Sequence, residues 1–336
     1  MAAILTRFFD SLWYGGNPLA YLLWPLALVY GTLMRGRRAA YRRGWLSAIE
    51  PPVPVVVVGN LTAGGTGMSP LVIGLAAAFA ARGFAVGIVT RGYRGRAAEW
   101  PLLVEPGGDA EAAGDEAVLL AERTRCPVVA GPDRVAAVQR LTAEHALDVV
   151  LADDGLQHLR LGRRVELAVV DGERGLGNGF CLPAGPLREP AERLRDVDAI
   201  VVNGGRWGHS GVFRMALAAE RAVRVGGGEV RPLASFAAGP VHAVAGIGHP
   251  ERFFRLLEDA GLEVLRHPLP DHAAIGADDL RFDDALPVLI TEKDAVKCAA
   301  VAHPDLWCVP VEVELAAGHA ERLLALLLRI LQGVRS

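Results

Sequence analysis

The chain has 336 residues, about half of them apolar, a formal net charge of −3 and a sequence pI near 6.3. That balance describes a globular protein with a large core and room for two ordinary units, and it carries no basic excess of the kind that marks a nucleic-acid binder. Four scattered cysteines without a C-x-x-C pair speak against a disulfide framework or a zinc site and fit a reducing compartment.

The first fifty residues differ from the rest. Leu19 to Met34 is almost wholly apolar apart from the break at Pro25, with Arg35, Arg37, Arg38, Arg42 and Arg43 behind it and Trp13, Tyr14, Trp24, Tyr30, Tyr41 and Trp45 spread along it. A helix over that run is roughly 24 Å long, short of the roughly 30 Å of a hydrocarbon core. Aromatics and a basic flank fit a helix partly sunk in one leaflet, with the arginines drawn to anionic headgroups on the cytoplasmic side. A core helix packed on the globular body is the other reading. A signal peptide fits less well, because no small-residue cleavage site follows and the arginines lie on the wrong flank.

Val55 to Val58 reads as a buried strand. It leads into a loop with Gly64, Gly65 and Gly67, and then into a helical stretch from Pro70 to about Arg82. Strand, glycine loop and helix together turn main-chain N–H groups onto a phosphate chain. The pattern G-x-x-x-x-G-K-[ST] is met in part across Thr62, Gly64, Gly65, Thr66, Gly67, Met68 and Ser69. Ser69 supplies the hydroxyl expected on magnesium, whereas Met68 stands where the lysine belongs and brings no charge. A ligand-free turn and a dinucleotide-binding turn remain open at this point. The latter lacks its third glycine and its acidic strand end.

From Val53 to about Asn203, short apolar runs alternate with amphipathic segments, which predicts parallel strands at 55–58, 85–90, 127–130, 148–152, 166–170 and 198–202. The ligand crevice is expected at their C-terminal ends. There lie Arg91-Gly92-Tyr93-Arg94, a basic turn suited to phosphate, and the doubled Asp153-Asp154, placed where nucleotide hydrolases hold magnesium. A helix-capping polar turn is the alternative for the aspartates, and a plain N-cap is the alternative for Asp115. Strands near 213–217 and 229–234 read as a linker. A second α/β unit begins at Val241, with a helix from Pro250 to Ala260 and the polar stretches Asp271-His272 and Thr291-Glu292-Lys293-Asp294. A final helix runs from Ala320 to Leu331. The expected organisation is therefore a membrane-associated helical segment (1–50), a P-loop parallel-sheet kinase unit (51–210), linker strands (211–240) and a smaller α/β unit (241–336).

These motifs, in this order, resemble the tetraacyldisaccharide 4′-kinases of lipid A synthesis. The series is Gly59-Asn60 with the Gly-Gly-Thr-Gly loop, Arg91-Gly92-Tyr93, Gly114-Asp115-Glu116 and Asp153-Asp154-Gly155-Leu156-Gln157-His158. It continues with Leu182-Pro183-Ala184-Gly185-Pro186-Leu187-Arg188-Glu189, Ala245-Gly246-Ile247-Gly248 and Thr291-Glu292-Lys293-Asp294-Ala295-Val296-Lys297. The resemblance implies an enzyme using ATP and Mg2+ at the cytoplasmic face of the bacterial inner membrane. Its substrate would be an acylated glucosamine disaccharide 1-phosphate, phosphorylated on the 4′-hydroxyl to give lipid IVA, and no protein partner is implied. It also implies Asp115 as the base with His272 paired to it, Ser69, Glu116, Asp153 and Asp154 as the magnesium set, Arg134 and Arg188 on phosphate or substrate, and Tyr93 and Glu189 in the cleft. Met68 departs from the family's lysine. A silent nucleotide- or lipid-binding relative is accordingly the alternative. A GTPase reading of Thr-Glu-Lys-Asp lacks the leading Asn.

Overall fold

The computed structural model describes residues 2–271, 273–298, 301 and 303–333, with side chains from Phe8 onward. Four consecutive valines, Val55–Val58, are wholly buried because both faces of their strand are covered, which is why they form an unbroken apolar run. Val56 and Val58 point to one face, where they meet Leu71, Phe79, Leu120 and Leu327; Val55 and Val57 point to the other, toward Ala27, Val138 and Leu141.

That strand, Val55–Gly59, sits inside a nine-stranded sheet. Across the sheet the order is Glu312–Leu315, Phe213–Ala218, Ala199–Asn203, Val165–Asp171, Val55–Gly59, Val149–Asp153, Val86–Thr90, Val128–Ala130 and Leu102–Val104. The two outermost strands pair antiparallel and the rest run parallel. Helices Met68–Ala80, Asp115–Thr124 and His319–Leu331 cover one face, and Arg134–Glu144 covers the other. Gly59, Thr90, Asp153, Asp171 and Asn203 therefore end on the same rim of the sheet, the expected crevice.

A six-stranded sheet forms the second unit, in the order Val230–Pro232, Arg221–Arg224, Leu306–Val309, Val288–Thr291, Pro240–Ala245 and Glu263–Pro268. Its core packs Phe253, Phe254 and Leu257 of the helix Pro250–Asp259 against Leu289 and Trp307. The fold is thus α/β with a smaller second α/β unit, as the alternating pattern implied.

Sheet membership departs from the expected boundaries in two places. The strands expected to form a 211–240 linker divide between the sheets, Phe213–Ala218 joining the large one and Arg221–Arg224 with Val230–Pro232 the small one. The chain also returns after Val309, so that Glu312–Leu315 pairs with Phe213–Ala218 and the last helix buries Leu323, Leu324, Leu327 and Ile330 on the large sheet. That apolar stripe is satisfied by the first unit, not by the second.

At the N-terminus, helices span Ala2–Tyr14 and Leu19–Arg42. The second helix outruns its apolar stretch by eight residues (Arg42 against Met34) because Arg and Ala are good helix formers and Arg35 and Arg38 pair with Glu192 and Asp196. It buries only the small residues Ala20, Ala27 and Gly31 against the body, while Tyr21, Leu22, Leu26, Val29 and Leu33 stay exposed. Among the described residues no helix is long and apolar enough to cross a membrane.

Candidate active site

The loop after Gly59 is held from every side. Asn60 donates through Nδ2 to the Gly64 carbonyl (2.9 Å), and Gln157 Nε2 donates to the Asn60 carbonyl (3.1 Å). The Ala63 amide donates to Pro186 (2.8 Å) and the Arg188 amide to Leu61 (2.6 Å), so the Pro/Gly-rich 182–189 segment runs as a second rail beside the loop. Asn203, at the end of its strand, donates to the Thr66 carbonyl (3.0 Å). Gly67 caps the following helix at φ +90°, a left-handed backbone that favours glycine. Gly64 and Gly65 are exposed and have open space where a side chain would stand, so a phosphate meets no side chain on approaching this part of the loop. Buried polar atoms without a hydrogen-bond partner, Asn60 Oδ1 and Thr66 Oγ1, belong to the same loop. Met68 opens the helix and packs against the hydrophobic core, so the loop itself brings no cation.

The acids stand at the neighbouring strand end. Asp153 is 1% exposed, and its Oδ1 has no hydrogen-bond partner among the described residues. Burial pushes its carboxyl up to about 8, with Glu116 and Asp154 adding to the effect against the pull of Arg134 and Lys293. Asp154 turns the chain at φ +46° and forms an ion pair with Arg188 at 2.7 Å. Asp115 is buried at the head of the helix Asp115–Thr124, where its Oδ1 accepts from the Glu116 amide (3.0 Å). Glu116 pairs with Lys293 of the second unit at 2.6 Å. Burial opposes the charge on Lys293, yet Glu116, Asp115 and Asp271 outweigh it and hold the ammonium above its ordinary pKa.

The two units meet over this loop. A Cβ placed on Gly248 would lie 3.6 Å from the Gly65 nitrogen and 3.3 Å from Asp271 Oδ2. On the other flank Arg252 pairs with Asp171 (2.8 Å) and donates to the Asn203 carbonyl (3.2 Å), and Arg255 makes a two-pronged pair with Glu173 (2.8 and 2.7 Å).

The structure thus brings Asp115, Glu116, Asp153 and Asp154 within electrostatic reach of one another or of Lys293, and Arg188 ties Asp154 to the segment beside the loop 62–69. Arg91 and Tyr93 lie exposed at its rim, where the Tyr93 main chain packs on Gly114. Two expected cleft residues take other places. Arg134 is buried with its guanidinium on the carbonyls of Gly131 (2.6 Å) and Asp153 (3.1 Å), and burial lowers it to about 10. Glu189 is buried beside Gln157 (3.0 Å) and Arg193 (3.6 Å). Both brace the site from behind. His272 lies outside the described residues. From the sequence alone Asn203 carries no role, and Gln157 and Lys293 appear only as motif members without one. The polar ends of an apolar strand were the available signal for Asn203, and a lysine in an arginine-rich chain was the signal for Lys293.

Among the described residues no three His, Cys, Asp or Glu side chains cage a metal unaided. Magnesium does not require such a cage, because it keeps several waters and takes one or two carboxylates together with phosphate oxygens. The orphaned Asp153 Oδ1 beside the loop fits that demand.

A glycine loop opening a helix at one strand end and a group of acids at the next divide the labour of phosphoryl transfer between them, and the molecule is a phosphate-loop phosphotransferase. The family model described as tetraacyldisaccharide-1-P 4′-kinase matches residues 19–331, and the chain belongs to that family. It is 53% identical over 319 residues to the tetraacyldisaccharide 4′-kinase of Alkalilimnicola ehrlichii, covering 93% of each chain. The corresponding protein of Nitrosococcus oceani is 48% identical, with 94% of this chain and 93% of that one covered. A solved structure of LpxK from Aquifex aeolicus, an "apo" form in complex with ATP, matches with a TM-score of 0.77 at 28% identity, over 93% of this chain and 99% of that one.

Proposed function

We propose that this chain transfers the γ-phosphoryl group of ATP to the 4′-hydroxyl of a tetraacylated glucosamine disaccharide 1-phosphate, giving lipid IVA. The observation that carries the reading is the exposed Gly64-Gly65 loop at one strand end beside a strand end that carries Asp153 and Asp154, with Glu116 near enough to act on Asp153. Family membership supports the same substrate class, and the ATP-bound relative supports the nucleotide.

The loop amides of 64–69 cradle the phosphates, and the helix starting at Met68 directs its positive end at them. Ser69 and Asp153 would hold magnesium, with Asp154 and Glu116 within the same acidic group. The ion would neutralise charge on the transferring group. Asp115 takes the proton of the sugar hydroxyl as that oxygen bonds to the γ-phosphorus and the bond to the departing ADP oxygen breaks; His272 is the partner to which the proton relays. Arg188, ion-paired to Asp154, and Arg91 with Tyr93 at the rim face the arriving substrate.

The lipid chains explain the N-terminal helices. A row of exposed Tyr21, Leu22, Leu26, Val29 and Leu33, followed by arginines, suits the headgroup region of the inner membrane's cytoplasmic face, to which the acylated substrate is confined. Met68 is the feature favouring a silent binding protein, and the retained Asp115, Asp153 and Asp154 weigh against that reading. Incubating the protein with ATP, magnesium and the detergent-dispersed disaccharide 1-phosphate tests it. A 4′-phosphorylated product is expected, and its absence from both this chain and Met68→Lys overturns the assignment.

A further inference from the structure

We propose that Lys293 is the phosphate-directed lysine of this cleft, supplied by the second unit in place of the side chain that Met68 does not bring. The inference rests on the kinase reading above and adds a residue to it. Of 35 cationic residues only Lys293 and Lys297 are lysines, and both lie on the short helix Glu292–Lys297, which packs against the helix Asp115–Thr124 of the first unit. Lys297 is committed within its own unit, to Asp294 (2.7 Å) and the Ala273 carbonyl (3.0 Å). Lys293 instead crosses to the first unit, where Glu116 holds its Nζ at 2.6 Å beside Asp115. Gly248 of the same unit approaches Gly65, so the turn after the strand Pro240–Ala245 lies beside the phosphate loop. A lysine is a point charge on a four-carbon stem, and rotation about that stem redirects it from Glu116 to a phosphate oxygen without moving the main chain. Met68 cannot perform this service, because its thioether carries no charge, and its partial burial against the core leaves position 68 able to carry a lysine in the test below.

The test compares this chain with Lys293→Met, Met68→Lys and the double variant, reading magnesium-dependent affinity for ATP and for AMP by calorimetry alongside turnover. A lysine aimed at the terminal phosphates serves ATP and not AMP. Lys293→Met is expected to weaken ATP about ten- to a hundredfold while leaving AMP within about threefold. Turnover is expected to fall about a hundred- to a thousandfold. Met68→Lys should restore most of both losses in the Lys293→Met background. Equal losses for ATP and AMP, no loss, or a double variant no better than Lys293→Met would overturn the inference. Lys293→Arg guards against a folding failure, since it keeps the pair with Glu116; its ATP-over-AMP preference should drop about tenfold, and an unchanged preference overturns the proposal. A chain that binds ATP through Lys293 yet phosphorylates nothing removes the kinase reading alone. Full turnover by Lys293→Met removes the lysine alone.

Discussion

Gly67→Ala perturbs the loop at the point where its geometry is most constrained. At φ +90° an alanine costs about 1–2 kcal/mol of backbone strain. Its Cβ would also stand 2.3 Å from Asn203 Nδ2 and 3.3 Å from the Met215 methyl. Asn203 is buried, so it relieves the overlap only by giving up its 3.0 Å bond to the Thr66 carbonyl, leaving unmet polar groups at a cost of about 1–3 kcal/mol. Together the substitution should destabilise by about 2–5 kcal/mol, because strain and the lost bond add. Urea unfolding measures this, and calorimetric titration with ATP shows whether the loop still receives phosphate. Asn203→Ala in the Gly67→Ala background removes the overlap but not the strain, so the two substitutions should show a coupling of about 1–3 kcal/mol in the double-mutant cycle. A Gly67→Ala protein that unfolds within about 0.5 kcal/mol of its parent and binds ATP normally would refute this account of the loop, since ordinary surface substitutions fall in that range.

Asp153→Asn should raise the melting temperature in magnesium-free buffer, because a buried carboxyl whose acidity is suppressed by desolvation gives way to a neutral amide, while turnover falls at least a hundredfold; a lower melting temperature would contradict the burial argument. His158 is lowered to about 4, chiefly by burial and then by Arg134, so it stays neutral in the folded chain while the unfolded chain takes up a proton below 6.5. The stability this lends is complete above pH 6.5 and is lost as the pH falls toward 4, and His158→Gln should flatten that arm of a urea-unfolding series. Serine at Leu22, Leu26, Val29 and Leu33 should leave the melting temperature within a few degrees while sharply reducing partition onto anionic vesicles, each lost side chain being worth about 1–2 kcal/mol of burial. Unchanged vesicle binding would remove the membrane-facing role of that stripe.

The parallel strands were legible because strands covered on both faces must be apolar throughout, and Val55–Val58 or Val149–Ala152 admit no other reading. Their ends were legible for the same reason, since a polar residue after such a run marks the exit to the rim. Pairing partners were not. Glu312–Leu315 alternates half-buried and exposed positions, and nothing local tells it to join Phe213–Ala218 rather than its nearer neighbours. Arg134 shows the limit on charge: the resemblance implies contact with phosphate or substrate, and the fold buries its guanidinium against two carbonyls. Lys293 is the converse case. Its motif was visible, but its partner Glu116 lies in the other unit, and only the meeting of the two sheets brings them together. The roles of Asp115 and Arg188 came through resemblance, since a capping aspartate and a loop arginine carry no chemical signature of their own.

The most direct measurement sets the unaltered chain beside Asp115→Asn, following label from γ-labelled ATP onto the disaccharide 4′-oxygen while recording ATP affinity for both. Loss of a general base slows transfer about a hundred- to ten-thousandfold and leaves nucleotide binding intact, so the variant should bind ATP within about twofold and transfer almost no label. Equal transfer by the two proteins would remove Asp115 from the chemistry. ATP binding without any labelled product from the unaltered chain would contradict the kinase itself.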